Sequence, residues 1–328
     1  MNTTALVFGL LALLLAGPVP ALLARASWPH RTPRAALVLW QAVALAAVLS
    51  AFSAGLAIAS QLLVPGPDGR PTTAPLAEID ALGLPLWITY VTVFALTLLI
   101  GARLMFSIVR VGVRTRRRRA RHRTLVDILD RCDTSEITDH THAAEVLAHT
   151  PDLRVLDLAD PIAYCLPGLR QRVVLSQGTL ANLSHDELRA ILTHERSHLR
   201  ARHDLVLEAF TAVNDAFPRF VRSRSALGAV QMLVEMLADD QAVRATGPTH
   251  LARALVTCSS AAAPRGAMAA GGPTTLLRIQ RLAGAERDTR ALSLAAYAAS
   301  AAILVVPTIA VAVPWLTELG RLFRAGGL

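Results

Sequence analysis

The sequence predicts an α+β fold that is mostly helical, with four transmembrane helices and one polar domain holding a small sheet. Three observations carry this. The chain of 328 residues is 53% hydrophobic and only 17% charged, too apolar for an ordinary soluble enzyme. Four apolar stretches reach the length of about 20 residues that a helix needs to cross a hydrocarbon core. Between the third and the fourth lies a segment of ordinary polarity in which short strand-like runs precede helical ones. The division is therefore 1–110 for three spans, 111–290 for the polar domain and 291–328 for the fourth span with a short tail.

The spans cover Ala5–Ala24, Ala36–Leu63, Leu84–Ile108 and Ala291–Leu316. The first is expected to be a retained span and not the alternative, a cleaved signal peptide, because Met1-Asn2-Thr3-Thr4 lacks the basic start such a peptide needs. Arg103, near the end of the third, is expected to reach toward the headgroups. Arginine placement sets the orientation. Arg25, Arg31 and Arg34 lie between the first two spans, whereas Arg70 stands alone in the next loop beside Asp68, Glu78 and Asp80. The first loop is thus expected inside and the second outside. The run "RVGVRTRRRRARHR", Arg110 to Arg123, then places the polar domain in the cytoplasm of a bacterial cell. Arg321 and Arg324 would end outside, which the same rule mildly disfavours.

The formal charge of +9 is carried by arginine alone, with no lysine in the chain. The arginine run abuts a span and has no interleaved aromatics, so it reads as an anchor to anionic lipid rather than as a nucleic-acid arm. The partners expected are the lipid bilayer and a protein substrate, with no direct nucleic acid. Cys132, Cys165 and Cys258 are odd in number and widely spaced, which fits buried small hydrophobes and no disulfide framework.

In the polar domain, "TLVDILDRC" and "HAAEVLAH" have helical patterns. Strands are expected over Arg154–Leu158, Ile162–Leu166 and Arg172–Ser176, with a turn at Pro167-Gly168 between the last two. Ser184 with Glu187 three residues later forms a capping box that starts a helix running to about His203. Further helices are expected to about Phe217, from Ser225 to Ala245, over "HLARALVTC" and over "TTLLRIQRL", with "GAMAAGG" as a loop between the last two.

The first of these helices contains His194-Glu195-Arg196-Ser197-His198. Residues four apart share a helix face, so His194 and His198 can present both imidazoles to one ion. Leu188, Ile191, Leu192 and Leu199 form the buried stripe, and Glu195 falls inside it. A glutamate on the buried side needs a reason. General-base work on a metal-activated water supplies one, since Glu195 can take the water's proton and later deliver it to a leaving amine.

A third ligand is sought downstream. An extended motif with a glycine turn would use Asp204, but Ala201 stands where that glycine would be. In an unbroken helix Asp204 lies about 9 Å further along, and His203 has the same difficulty, so both are expected as solvated residues. The better candidate is "EMLADD". Glu235 sits in an otherwise apolar helix, and Asp239 shares its face. Glu235 would complete the donor set and leave a position open for water, while Asp239 would hydrogen-bond a ligand imidazole. The alternative for these carboxylates is pairing with arginines such as Arg222 or Arg244.

With "LSHDELRAIL" before the motif and "EMLADD" after it, the sequence resembles the gluzincin peptidases of the membrane-bound BlaR/MecR antirepressor type. More loosely it resembles the CAAX-prenyl-protease and HtpX-type membrane peptidases. The resemblance implies a zincin-like metallopeptidase domain, a zinc-dependent endopeptidase with Zn2+ held by His194, His198 and Glu235, Glu195 as general base, and Asp239 behind a ligand histidine. It implies a cytosolic protein as substrate, such as a BlaI/MecI-like winged-helix repressor, and an extended substrate paired to "RVVLS" or "IAYCL". Tyr164 and His203 are the candidates for stabilising the oxyanion. BlaR-type sensors carry an extracellular penicillin-binding domain after the fourth span. This chain stops at Leu328, so signal input is expected through the spans, the external loop or another protein. Two other functions remain open: HtpX-type quality-control proteolysis, and a non-catalytic receptor or scaffold with a structural metal.

Overall fold

In the computed structural model the described residues are 3–62, 64–65, 71–72, 75–130, 152–168, 170–217, 224–259, 268–269, 275–284 and 289–325. Cys132, Arg222 and the "HAAEVLAH" helix lie outside them, as does most of "GAMAAGG". The chain forms two compact units. One comprises 1–107, 214–226 and 289–328, and the other 108–213 and 227–288.

The first unit begins with α1 (Thr3–Ala16) and α2 (Pro18–Arg25), separated at Gly17. Pro18 has no N–H to continue the helical ladder, which explains why one apolar stretch becomes two helices. Next come α3 (Pro33–Ala59), a short hairpin of β1 (Val64–Pro65) and β2 (Pro71–Thr72), α4 (Pro75–Leu82) and the part up to Ser107 of α5 (Leu84–Leu129), whose remainder from Ile108 belongs to the second unit. Small residues on α3, Ala35, Ala36, Ala42 and Ala46, are buried and allow close packing against α1. Leu10, Leu13, Leu98 and Leu99 are exposed, as lipid-facing residues of a membrane helix would be.

Among the described residues, four helices are long and apolar enough to cross a membrane: Thr3–Arg25, Pro33–Leu62, Leu84–Leu129 and Arg290–Ile309. They coincide with the expected spans, and this is consistent with a membrane protein. Two details differ from expectation. The third helix does not stop at Ile108 but continues as a single helix through the arginine run to Leu129, since arginine is a strong helix former. Arg103 does not reach for headgroups; its Nε donates to the carbonyl of Ala216, the last residue of its helix. That carbonyl has no partner within its own helix and sits at the negative end of the helix dipole.

In the second unit the strands are β3 (Leu153–Leu156), β4 (Ala163–Leu166), β5 (Arg172–Ser176) and β6 (Met268–Ala269). They form a four-stranded sheet in the order β3-β5-β4-β6, with β3 parallel to β5 and β4 antiparallel to both its neighbours. Side chains alternate across the sheet. Ala163, Cys165, Val173 and Leu175 face the main core, whereas Tyr164, Leu166 and Val174 pack with Val126 of α5 on the other side. Both faces are covered, so β4 is buried at every residue.

Ser176 ties the sheet to the helix after it. Its hydroxyl accepts the N–H of Thr179 at 3.1 Å, capping α6 (Gln177–Asn182), accepts the N–H of Ile162 at 2.9 Å and donates to the carbonyl of Asp160 at 2.6 Å. Gly178 donates to Leu158 O at 2.9 Å, and a Cβ there would collide with the backbone carbonyl of Ala159, so only glycine fits this approach.

The capping box at Ser184 starts α7 (His185–Arg200); Glu187 accepts the N–H of Ser184 at 2.9 Å. After it come α8 (His203–Ala216), α9 (Arg224–Thr246), α10 (Pro248–Cys258), α11 (Thr275–Ala283) and, in the first unit, α12 (Arg290–Ala325). Leu188, Ile191, Leu192 and Leu199 of α7 are buried against the sheet, Ala242 of α9, and Leu251, Ala254 and Leu255 of α10. Cys165 and Cys258 lie in the same core as free thiols.

The helix that carries both histidines ends at Arg200, short of the expected His203. Arg202 adopts φ 52°, the one positive φ among described residues other than glycine. This left-handed turn replaces the glycine turn of the extended motif, at a cost of about 1–2 kcal/mol. His203 and Asp204 are consequently buried, not solvated, at 4% and 2% exposure. Asp204 pairs with Arg119 of α5 at 3.1 Å, and Arg119 reaches Glu208 at 2.6 Å.

Candidate metal centre

The face of α7 that carries the histidines meets α9. His194 Nε2 lies 3.2 Å from His198 Nε2 and 3.4 Å from Glu235 Oε2, and His198 Nε2 lies 3.6 Å from Glu235 Oε1. One donor atom from each of these residues falls within 4.8 Å of the other two, the spacing of a shared cation site. The structure thus brings His194, His198 and Glu235 to one point. It also brings Asp239, whose Oδ1 is 3.1 Å from His194 Nδ1. A proton held between those atoms leaves the Nε2 lone pair of His194 for an ion.

Glu195 is wholly buried, and neither carboxylate oxygen has a hydrogen-bond partner among the nitrogen and oxygen atoms of the described residues. The Cys165 thiol of β4 is its neighbour. Burial raises its pKa to about 7, against the opposing attraction of His194. A thiol is a weak donor, so this buried carboxylate is costly in a folded core unless a further partner offsets its desolvation.

The surrounding charges also fit a cation. Burial alone would lower the pKa of His194, but Asp239 and Glu235 outweigh it and raise it to about 9. The pKa of Glu235 falls to about 2, because His198, His194 and Arg278 overcome the burial that would raise it. Asp239 is held well below the usual carboxylate range by Arg278 and His194, again against burial. An arrangement of carboxylates that holds a proton on a buried imidazole attracts a metal ion in the same way. The donor set, two imidazoles and one carboxylate, suits zinc.

Sequence reasoning missed Arg278. It lies on α11 and is 1% exposed, with Nε 2.8 Å from Asp239 Oδ2, Nη2 2.5 Å from Asp239 Oδ1 and Nη1 3.1 Å from Glu235 Oε2. The two carboxylates therefore do pair with an arginine, but not with the expected ones, and they touch the histidines at the same time. A fork of donors on Asp239, with the same guanidinium in an ion pair with Glu235, sets both acids against one charge. Asp240 points elsewhere, to Arg281 at 2.7 Å.

Tyr164 does not face this site. Its hydroxyl lies 2.9 Å from His122 Nε2 on the opposite side of the sheet, and burial pushes its pKa up to about 12. It is thereby removed as a candidate for the oxyanion. "RVVLS" is likewise removed as a substrate-pairing strand, because β5 is flanked by β3 and β4. The outer edge of β4, from "IAYCL", carries β6.

No curated protein and no solved structure matches the chain. One family does, over a stretch that includes His194, Glu195 and His198 and ends short of Glu235. The sequence model of Peptidase family M48 matches residues 133–232, and this similarity, with the donor set described above, supports a metallopeptidase.

Proposed function

We propose that the chain is an integral-membrane zinc endopeptidase that holds the ion on His194, His198 and Glu235 and uses Glu195 as general base. The observation that carries the reading is the wholly buried carboxylate of Glu195, with the Cys165 thiol as its neighbour, beside three converging donors. Bound zinc would supply a Lewis acid that polarises the attacking water and the peptide carbonyl. Glu195 accepts one proton from that water as its oxygen bonds to the carbonyl carbon. When the C–N bond breaks, the same carboxyl returns the proton to the leaving amine. Asp239 keeps His194 oriented through Nδ1, and Arg278 keeps Asp239 and Glu235 in place.

The arginine distribution supports a cytoplasmic peptidase domain, so the substrate is a cytosolic protein or the cytosolic part of a membrane protein. The resemblance of the motif region to BlaR/MecR antirepressors favours a winged-helix repressor of the BlaI/MecI kind, cleaved in signal transduction. Incubation of the purified chain with such a repressor and with a misfolded membrane protein tests this. A single cut in the repressor supports it. Many cuts confined to the misfolded protein would point instead to quality-control proteolysis, and bound zinc without any turnover to a structural metal.

A further inference from the structure

We infer that His203 is a positioning residue for His198, holding that ring in the one tautomer able to bind a cation. The inference rests on the proposed metal centre. His203 Nδ1 lies 3.0 Å from His198 Nδ1, and the rings meet edge to face with centroids 5.0 Å apart. Two like ring nitrogens at that separation form a hydrogen bond only when one carries the proton and the other a lone pair.

The surroundings decide which. His198 Nε2 faces His194 Nε2 at 3.2 Å and Glu235 Oε1 at 3.6 Å. A proton there would point into the donor cluster and repel a cation. With the proton on Nδ1, donated to His203, the Nε2 lone pair faces the cluster. His203 then accepts at Nδ1 and carries its own proton on Nε2.

The two ligand histidines are thus supported differently, His194 by the carboxylate of Asp239 and His198 by a neutral imidazole. The backbone is bent to allow it. Arg202 takes the left-handed conformation immediately before His203, and strain of that kind persists where surrounding structure requires it. Had α7 continued unbroken, residue 203 would lie further along the helix axis and out of reach of the His198 ring.

The test measures zinc affinity of the full chain in detergent by competition with a chromogenic chelator, together with visible absorption of the cobalt-loaded protein. His203→Phe keeps the ring but removes the acceptor, and His203→Asn restores an acceptor through Oδ1. The expected result is zinc binding about 10–100-fold weaker in His203→Phe, with an altered cobalt spectrum. His203→Asn should stay within roughly threefold of the parent and keep its spectrum, since the hydrogen bond is retained. His203→Leu, smaller than either ring, repeats the loss without the phenyl. Parental affinity in His203→Phe and His203→Leu, or a loss in His203→Asn equal to theirs, would overturn the inference while leaving the metal centre standing. A parent chain that binds no zinc overturns both.

Discussion

Glu195→Gln is expected to leave zinc bound and to slow peptide-bond hydrolysis by about 10²–10⁴-fold. The substitution is isosteric and keeps the side chain in its buried place on α7, but the amide cannot take up a proton. Its neighbours fix the reason for the size of the effect. The Cys165 thiol, a weak donor, is the neighbour of the Glu195 carboxylate, and the pKa of that carboxylate, raised to about 7 by burial, matches the working pH of a general base. The comparison needs kcat/KM on an unfolded reporter protein and metal content on the same preparation. Cleavage at the parental rate would remove Glu195 from the chemistry, whatever the ion does.

Arg278→Met should be the most damaging change to stability near the site, by about 3–5 kcal/mol. The thioether fills much of the volume, but Asp239 is 1% exposed and would lose both of its donors from the guanidinium, while Glu235 would lose its ion pair. A drop in apparent Tm on the order of 10 °C, read in detergent with zinc present, is the expected result. Arg278→Lys should fall between, because an ammonium cannot span both oxygens of Asp239 as the fork does. An unchanged Tm in Arg278→Met would show that the carboxylates are balanced by the histidines alone.

Much of this arrangement is legible in the sequence, for identifiable reasons. The spans follow from length and apolarity. The capping box at Ser184 and the stripe of Leu188, Ile191, Leu192 and Leu199 set the phase of α7, and that phase puts Glu195 inside. Glu235 and Asp239 draw notice because carboxylates four apart in an apolar helix need partners, and the structure sets both against His194.

The features that are not legible depend on backbone exceptions and distant contacts. The break after Arg200 uses a left-handed arginine where propensity favours glycine, so the sequence does not place His203 beside His198. Arg278 lies 39 residues beyond Asp239 on a short helix whose pattern resembles an ordinary amphipathic surface segment. Its burial follows from packing alone. Strand order is of the same kind: three short apolar runs do not reveal that β5 is central and that Tyr164 faces α5.

The most direct measurement is the zinc content of the purified chain, determined beside His194→Ala and Glu235→Ala. About one zinc per parent chain, lost from both variants while the far-UV spectrum is retained, is the outcome predicted by three donors sharing one ion. A parent chain free of metal after zinc loading, or variants that hold it as well as the parent, would contradict a metal centre built from α7 and α9.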